Sequence, residues 1–66
     1  MKIELNGSAL EVADTLTVAE LLLQLSLTNR RVAVEVNLDI IPRSEYANYH
    51  LAQGDRVEIV HAIGGG

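Results

Sequence analysis

The chain has 66 residues, enough for one small domain, and 48% of them are apolar. Its formal net charge is −4 with only five Lys and Arg residues, so it offers no basic patch to bind nucleic acid. The absence of cysteine excludes disulfides, cysteine metal sites and a thiol nucleophile. No apolar run approaches the roughly 20 residues that span a membrane, and the N-terminus lacks a secretory pattern. We therefore expect a soluble, cytoplasmic protein with no membrane partner.

The first predicted elements are two strands joined by a tight turn. Apolar and polar residues alternate over residues 1–6, which is the period of a half-buried strand. Asn6-Gly7 favours a hairpin because both residue types tolerate positive φ. The second strand places Leu10 and Val12 inward and Glu11 outward. The chain therefore opens with a β-hairpin.

An amphipathic helix follows, and a capping box marks its start. Thr17 and Glu20 have the spacing at which the threonine side chain caps one backbone amide and the glutamate side chain caps another. Leu16 and Leu21 occupy the two positions of a hydrophobic staple. Leu23 lies off the apolar face and is expected to be partly exposed. That face recurs at i, i+3, i+4 and i+7 and consists of Val18, Leu21, Leu22 and Leu25.

The middle of the chain combines turns with short strands. Residues 28–31 are polar and end the helix, with Asn29 as the expected left-handed cap. Residues 32–36 alternate as a strand, and a turn over residues 37–39 leads into a short strand that stops at Pro42. The inward residues of the first of these strands are Val34 and Val36.

The last third of the chain ends in an apolar strand. One helical turn is expected over residues 44–50, capped by Ser44, with Tyr46 and Tyr49 on one face. A turn over residues 53–55 precedes the final strand, which covers residues 56–60. The inward residues of that strand are Val57 and Ile59.

This order, ββαβ(β)β, predicts an α+β fold in which one helix lies across one face of a mixed sheet of four to five strands. The first and last strands are both apolar enough to be central and adjacent. The chain would then leave the sheet from its middle. We expect a folded domain over residues 1–60 and a flexible C-terminal tail over residues 61–66.

The C-terminal tail ends in Gly64-Gly65-Gly66. Glycine adds no packing, so these residues form a thin, flexible peptide that can enter a narrow slot. The tail can extend roughly 20 Å, and the Gly66 carboxylate at its end is ionised at neutral pH. Apolar residues at the root of the tail have no core of their own to fill, which predicts a partner interface. They are Val60, Ala62 and Ile63.

The remaining polar residues do not indicate a catalytic or metal site. His50 and His61 lack a second ligand at metal-binding spacing and are interpreted as surface histidines. Ser8, Ser26 and Ser44 have no histidine arrangement typical of a nucleophile. The sequence therefore predicts a non-enzyme that binds no cofactor and no metal.

Taken with its glycine-rich end, the chain resembles the β-grasp (ubiquitin-like) fold and, more narrowly, the ThiS family of sulfur carriers in thiamin biosynthesis. The resemblance covers essentially the whole chain and depends on the order of several short motifs. These are Ile3-Glu4-Leu5-Asn6-Gly7, Thr17-Val18-Ala19-Glu20-Leu21-Leu22, Val36-Asn37, Ile40-Ile41-Pro42-Arg43, Gly54-Asp55, Val57-Glu58-Ile59-Val60 and the terminal glycines.

The resemblance implies a carrier that is acted on by other proteins. A ThiF-like enzyme would adenylate the carboxylate of Gly66 at the expense of ATP, with Gly64 and Gly65 threading into the enzyme. A sulfur donor protein would convert the adenylate to a thiocarboxylate, and a ThiG-like thiazole synthase would take the sulfur. The chain would be a co-substrate of these enzymes.

Two other functions are compatible with the same resemblance. One is a MoaD-like sulfur carrier for molybdopterin or another product, although such carriers are typically longer and richer in aromatic residues than this chain. The other is a ubiquitin-like modifier, which would be conjugated to lysines of other proteins.

Overall fold

The protein is described by a computed structural model that covers residues 1–61, and these residues form a five-stranded sheet with one α-helix. The elements in chain order are β1 (Lys2–Leu5), β2 (Ser8–Glu11), α1 (Val18–Gln24), β3 (Val32–Val36), β4 (Asp39–Ile41), a short 3₁₀ helix (Arg43–Glu45) and β5 (Arg56–His61). The strand order is β2-β1-β5-β3-β4. β1 and β5 are parallel, and the other neighbours are antiparallel. The predicted α+β architecture, with β1 and β5 adjacent and β5 central, is confirmed.

Both hairpins of the sheet are closed by two residues with positive φ. Asn6 and Gly7 have φ of 47° and 87°, and Asn37 and Leu38 have φ of 53° and 74°. Two consecutive positive φ values are the signature of a type I′ turn, whose twist matches that of the flanking strands. The hairpin predicted at Asn6-Gly7 is confirmed.

A single aliphatic core lies between α1 and one face of the sheet. The alternation predicted for β3 and β5 is confirmed, because Val34, Val36, Val57 and Ile59 are all buried. The helix contributes three buried side chains to the same core, and Leu25 packs against it half-buried. Within residues 1–61, the buried apolar residues are Ile3, Val12, Leu16, Val18, Leu21, Leu22, Val34, Val36, Ile41, Leu51, Val57 and Ile59.

The helix begins as predicted but ends earlier and in a different way. At its start, the Glu20 amide donates to Thr17 Oγ1 (3.1 Å) and the Thr17 amide donates to Glu20 Oε1 (2.8 Å), which completes the capping box. The prediction that Asn29 caps the other end is wrong. At the C-terminal end of α1, the backbone of Ser26 has the left-handed conformation (φ 61°). The Leu27 amide donates to the Leu22 carbonyl (2.8 Å), as in a Schellman motif. Asn29 is also left-handed (φ 67°), but it lies in the following turn.

The segment between β4 and β5 differs from its prediction at its start. The 3₁₀ helix begins at Arg43 with Pro42 as its N-cap, and Ser44 makes no capping hydrogen bond. Pro42 ends β4 as predicted. Tyr46 and Tyr49 are half-buried against the core, and their carbonyls accept hydrogen bonds from amides in the first turn of α1. Within residues 1–61, no helix has the length and apolar character needed to cross a membrane.

Candidate functional site

Of the residues predicted to take part in function, only Val60 lies in the described part of the chain. Its side chain is 57% exposed, on the face of β5 opposite the core. The outward orientation predicted for Val60 is therefore confirmed. Ala62, Ile63, Gly64, Gly65 and Gly66 lie outside the described residues, and so does the tail predicted for residues 61–66 except His61. β5 continues through His61, one residue past the expected end of the domain.

Val60 belongs to an apolar and acidic surface that we call the outer face of the sheet. It pairs with Ala33 on β3, which is also exposed. Two residues further along each strand and on the same face, Glu58 of β5 pairs with Glu35 of β3. Glu35 also pairs with Ile40 of β4 on its other side. Ile40 is 72% exposed. The outer face is defined here by Ala33, Glu35, Ile40, Glu58 and Val60.

Within residues 1–61, Glu35 and Glu58 on the outer face make no salt bridge. Glu35 and Glu58 lie directly opposite each other on neighbouring strands, an arrangement of like charges that destabilises a sheet. By contrast, Glu4 on β1 has a cation nearby, because Arg56 Nε lies 3.5 Å from its carboxylate. A partner surface that offers apolar contacts and a cation would complement the outer face.

The end of β5 is held from both sides of the sheet. β3 pairs with β5 as far as His61, which lies opposite Val32. β1 pairs with it only as far as Val57, but the side chain of Asn6 makes two hydrogen bonds to the backbone of Ile59 (2.9 and 3.2 Å). β5 is therefore held on both sides as far as Ile59, and by β3 alone from Val60 to His61.

The titratable residues near the helix have structural partners. His50 Nδ1 lies 3.0 Å from the Thr15 carbonyl, which is consistent with its interpretation as a surface residue. The pKa of Glu20 is lowered, chiefly because its carboxylate accepts the Thr17 backbone amide and secondarily because it accepts the Thr17 hydroxyl. Within residues 1–61, no three His, Cys, Asp or Glu residues are grouped as a metal site would require.

Two features of this region were not found by sequence reasoning. Ile40 was predicted only as part of a short strand, although the adjacent Ile40-Ile41 in a strand requires one of the two to face outward. Asn6 was interpreted only as a turn residue, and no local pattern indicates its contact with Ile59 because the two residues are 53 positions apart.

Comparisons with known proteins agree with this fold over the full chain. Residues 2–66 match the ThiS family model. The sulfur carrier protein ThiS of Bacillus subtilis is 40% identical over 65 residues, which are 97% of this chain and 98% of that protein. The crystal structure of the thiamine biosynthesis protein ThiS from Geobacter metallireducens has a TM-score of 0.87 and 33% identity, with all of both chains covered.

A further relative is much longer than this chain. A Paramagnetospirillum magneticum protein named thiazole synthase is 46% identical over 66 residues, and the chain spans only 20% of its length. The matches to the Bacillus subtilis protein and to the Geobacter metallireducens structure cover nearly all of both chains. The family model covers every residue except the first. The fold is therefore a β-grasp fold, and the chain belongs to the ThiS family.

Proposed function

We propose that this chain is a sulfur carrier protein of thiamin biosynthesis that carries sulfur as a thiocarboxylate on Gly66. The observation that carries the proposal is the near full-length match to a protein named as a sulfur carrier. Gly66 lies within the region that matches the family model. The central position of β5 supports the proposal, because a strand fixed on both sides gives the following residues a defined starting point.

The proposed chemistry activates a carboxylate that is unreactive by itself. A carboxylate oxygen of Gly66 attacks the α-phosphorus of ATP, and pyrophosphate leaves. The acyl-adenylate is then attacked at its carbonyl carbon by hydrosulfide delivered by a sulfur donor protein, AMP leaves, and loss of the thiol proton gives the thiocarboxylate. The metal ion and cationic groups that offset the charge of ATP would come from a ThiF-like adenylating enzyme. The chain is a co-substrate and supplies no catalytic group.

A thiazole synthase is the acceptor enzyme that the comparisons favour. A domain similar to the whole of this chain makes up 20% of a longer protein named thiazole synthase. The presence of a carrier-like domain in a protein named thiazole synthase supports a functional partnership between a carrier and a synthase. This observation favours thiazole as the destination of the sulfur over the product of a MoaD-like carrier.

The outer face of the sheet is proposed as the docking surface for these enzymes. Val60 and Ile40 expose apolar side chains there, and Glu58 and Glu35 add negative charge. Ala62 and Ile63 would extend the contact toward the active site of the partner. Gly64 and Gly65 would thread through a slot too narrow for side chains.

The test is mass spectrometry of the intact protein after incubation with ATP, a ThiF-like enzyme and a sulfur source. The protein should gain the mass difference of sulfur for oxygen at its C-terminus. Two variants serve as controls: one with a residue added after Gly66 and one with Gly66 deleted. Both move the carboxylate by about 3.5 Å, and a misplacement of 1 Å can cost about a hundredfold in rate.

The outcomes separate the possible functions. Slow or absent conversion of both variants, with full conversion of the unaltered protein, is the expected result. Equal conversion of all three proteins would contradict the proposal. Lysine-linked conjugates in place of a thiocarboxylate would identify a modifier, and sulfur transfer to a molybdopterin precursor but not to a thiazole synthase would identify a MoaD-like carrier.

A further inference from the structure

We infer that Asn6 is a positioning residue for the reaction at Gly66, because its side chain anchors the β1 side of β5 at Ile59, near the end of that strand. The inference rests on the proposed function, since it concerns delivery of the C-terminal carboxylate to an adenylating enzyme. It assigns to Asn6 a role separate from the turn that its φ of 47° supports.

The parallel ladder between β1 and β5 stops at Asn6. The Glu4 amide donates to the Asp55 carbonyl (2.9 Å), and the Asn6 amide donates to the Val57 carbonyl (2.9 Å). The next rung of a parallel ladder would use the amide and carbonyl of Ile59. At Asn6, however, positive φ turns the main chain away from β5 and into the hairpin.

The side chain of Asn6 takes the place of the missing rung. The Ile59 amide donates to Asn6 Oδ1 (2.9 Å), and Asn6 Nδ2 donates to the Ile59 carbonyl (3.2 Å). A carboxamide has the same donor and acceptor as a peptide group, so it can pair with both backbone groups of one residue. β5 therefore remains held on its β1 side for two residues beyond the end of the main-chain ladder.

This contact matters for the reaction because of its place in the chain. Without the Asn6 side chain, the amide and carbonyl of Ile59 lose their partner on the β1 side, and β3 alone would hold the strand there. Gly66 lies seven residues beyond Ile59, so a shift of β5 at Ile59 changes how far the following residues can reach into the partner's active site. The rate of a positioned reaction is sensitive to displacements of about 1 Å.

Few residue types could serve at this position. Glycine would keep the positive φ but make neither hydrogen bond. Aspartate tolerates positive φ and can accept from the Ile59 amide, but its carboxylate cannot donate to the Ile59 carbonyl. Asparagine alone among these three supplies the turn, the acceptor and the donor.

Asn37 is a matched control within the same protein. It also begins a type I′ turn (φ 53°), and its Oδ1 accepts from the Arg56 amide (3.0 Å) while its Nδ2 donates to Asp55 Oδ1 (3.0 Å). These contacts lie at the beginning of β5, whereas those of Asn6 lie near its end. Asn6→Gly and Asn37→Gly therefore remove comparable hydrogen bonds from opposite ends of one strand.

The experiment compares these two variants with the wild type. Steady-state adenylation by a ThiF-like enzyme is followed by pyrophosphate release, with the carrier concentration varied to obtain kcat and KM. For Asn6→Gly we expect kcat to fall by about tenfold to a hundredfold while KM stays near the wild-type value, because the outer face is intact. For Asn37→Gly we expect both constants to remain near wild type.

Two further measurements keep the test decisive. In hydrogen exchange, the Ile59 amide should lose protection in Asn6→Gly and keep it in Asn37→Gly. Asn6→Asp retains the acceptor, so its kcat should lie between those of the wild type and Asn6→Gly. If Asn6→Gly does not fold, the kcat of Asn6→Asp tests the positioning role instead.

The possible failures are distinguishable. Wild-type kcat in Asn6→Gly or Asn6→Asp, despite loss of Ile59 protection, would overturn the positioning role and leave the proposed function standing. Equal loss of kcat in the Asn6 and Asn37 variants would show a general effect of weakening β5 and would also overturn it. Lack of adenylation of the wild type would overturn the proposed function and this inference together.

Discussion

Thr17 and Glu20 stabilise the start of α1 through hydrogen bonds that depend on the charge of the glutamate. The Glu20 carboxylate accepts the backbone amide of Thr17 and also its hydroxyl, and both bonds lower the pKa of Glu20 below its usual value of 4.5. A carboxyl group with a lower pKa in the folded state stabilises the fold when it is ionised. The capping box should therefore weaken in acid.

The first prediction concerns the pH dependence of this contribution. Glu20→Gln should lower the free energy of unfolding above about pH 4.5, where the wild-type carboxylate is ionised in both the folded and the unfolded state. The difference between the two proteins should shrink as the pH falls through the lower pKa of the folded state. Urea unfolding of both proteins from pH 7 to about pH 3 tests this. A difference that is constant over the whole range would contradict it.

At the scale of the element, α1 depends on its buried face. It has only seven residues, and a helix shorter than about 12 residues is marginal in water by itself. Leu22 is 6% exposed and lies in the core, whereas the next residue, Leu23, is 67% exposed. The two leucines therefore give a matched pair of substitutions in one turn of one helix.

The second prediction uses that pair. Leu22→Ala should lower the free energy of unfolding by about 2–5 kcal/mol, because it removes buried methyl groups and leaves a cavity. Leu23→Ala should change it by no more than about 0.5 kcal/mol, as for most surface substitutions. Urea denaturation at neutral pH measures both values. Similar losses in the two variants would mean that the buried face of α1 is wrongly assigned.

The elements set by local chemistry could be predicted from the sequence, and those set by distant contacts could not. The capping box at Thr17 and the turn at Asn6-Gly7 each depend on residues close in the chain, and both are confirmed. The end of α1 was mispredicted because both Ser26 and Asn29 are left-handed, and only the hydrogen bonds of the Schellman motif distinguish the cap from the later turn.

The candidate site shows the same division. The outward direction of Val60 follows from strand alternation and could be predicted. Ile40 and Glu35 share the outer face with Val60 only because β3, β4 and β5 pair in this order. Alternation within one strand does not determine that pairing. Ser44 was predicted as a cap from its residue type, but the N-cap of the 3₁₀ helix is Pro42, two residues earlier, whose φ of −64° is typical of proline.

At the scale of the whole molecule, the two faces of the sheet have different tasks. One face is covered by α1 and forms the core, and the outer face exposes apolar and acidic side chains. Val60 lies near the end of β5, and Leu38, which is 77% exposed, lies in the turn after β3 at the opposite end of the sheet. These two exposed residues allow the proposed docking surface to be tested without disturbing the core.

The third prediction compares an added charge at these two positions. Val60→Asp should raise the KM for the carrier in adenylation by at least about tenfold, or roughly 1.4 kcal/mol, because docking would bury an unpaired charge. Leu38→Asp adds the same charge in the turn at the opposite end of the sheet and should raise the KM less than Val60→Asp does. Urea unfolding checks that both variants remain folded. An unchanged KM for Val60→Asp would remove Val60 from the interface.

The central position of β5 also determines when the sheet can form during synthesis. Before residues 56–61 are made, β1 pairs only with β2, and β3 pairs only with β4, so each hairpin has an unpaired edge. Contacts such as that between residues 53 positions apart form slowly, because a long loop must close first. The complete sheet should therefore form only after β5 has left the ribosome, and a chain truncated before Arg56 should aggregate through its two open hairpins.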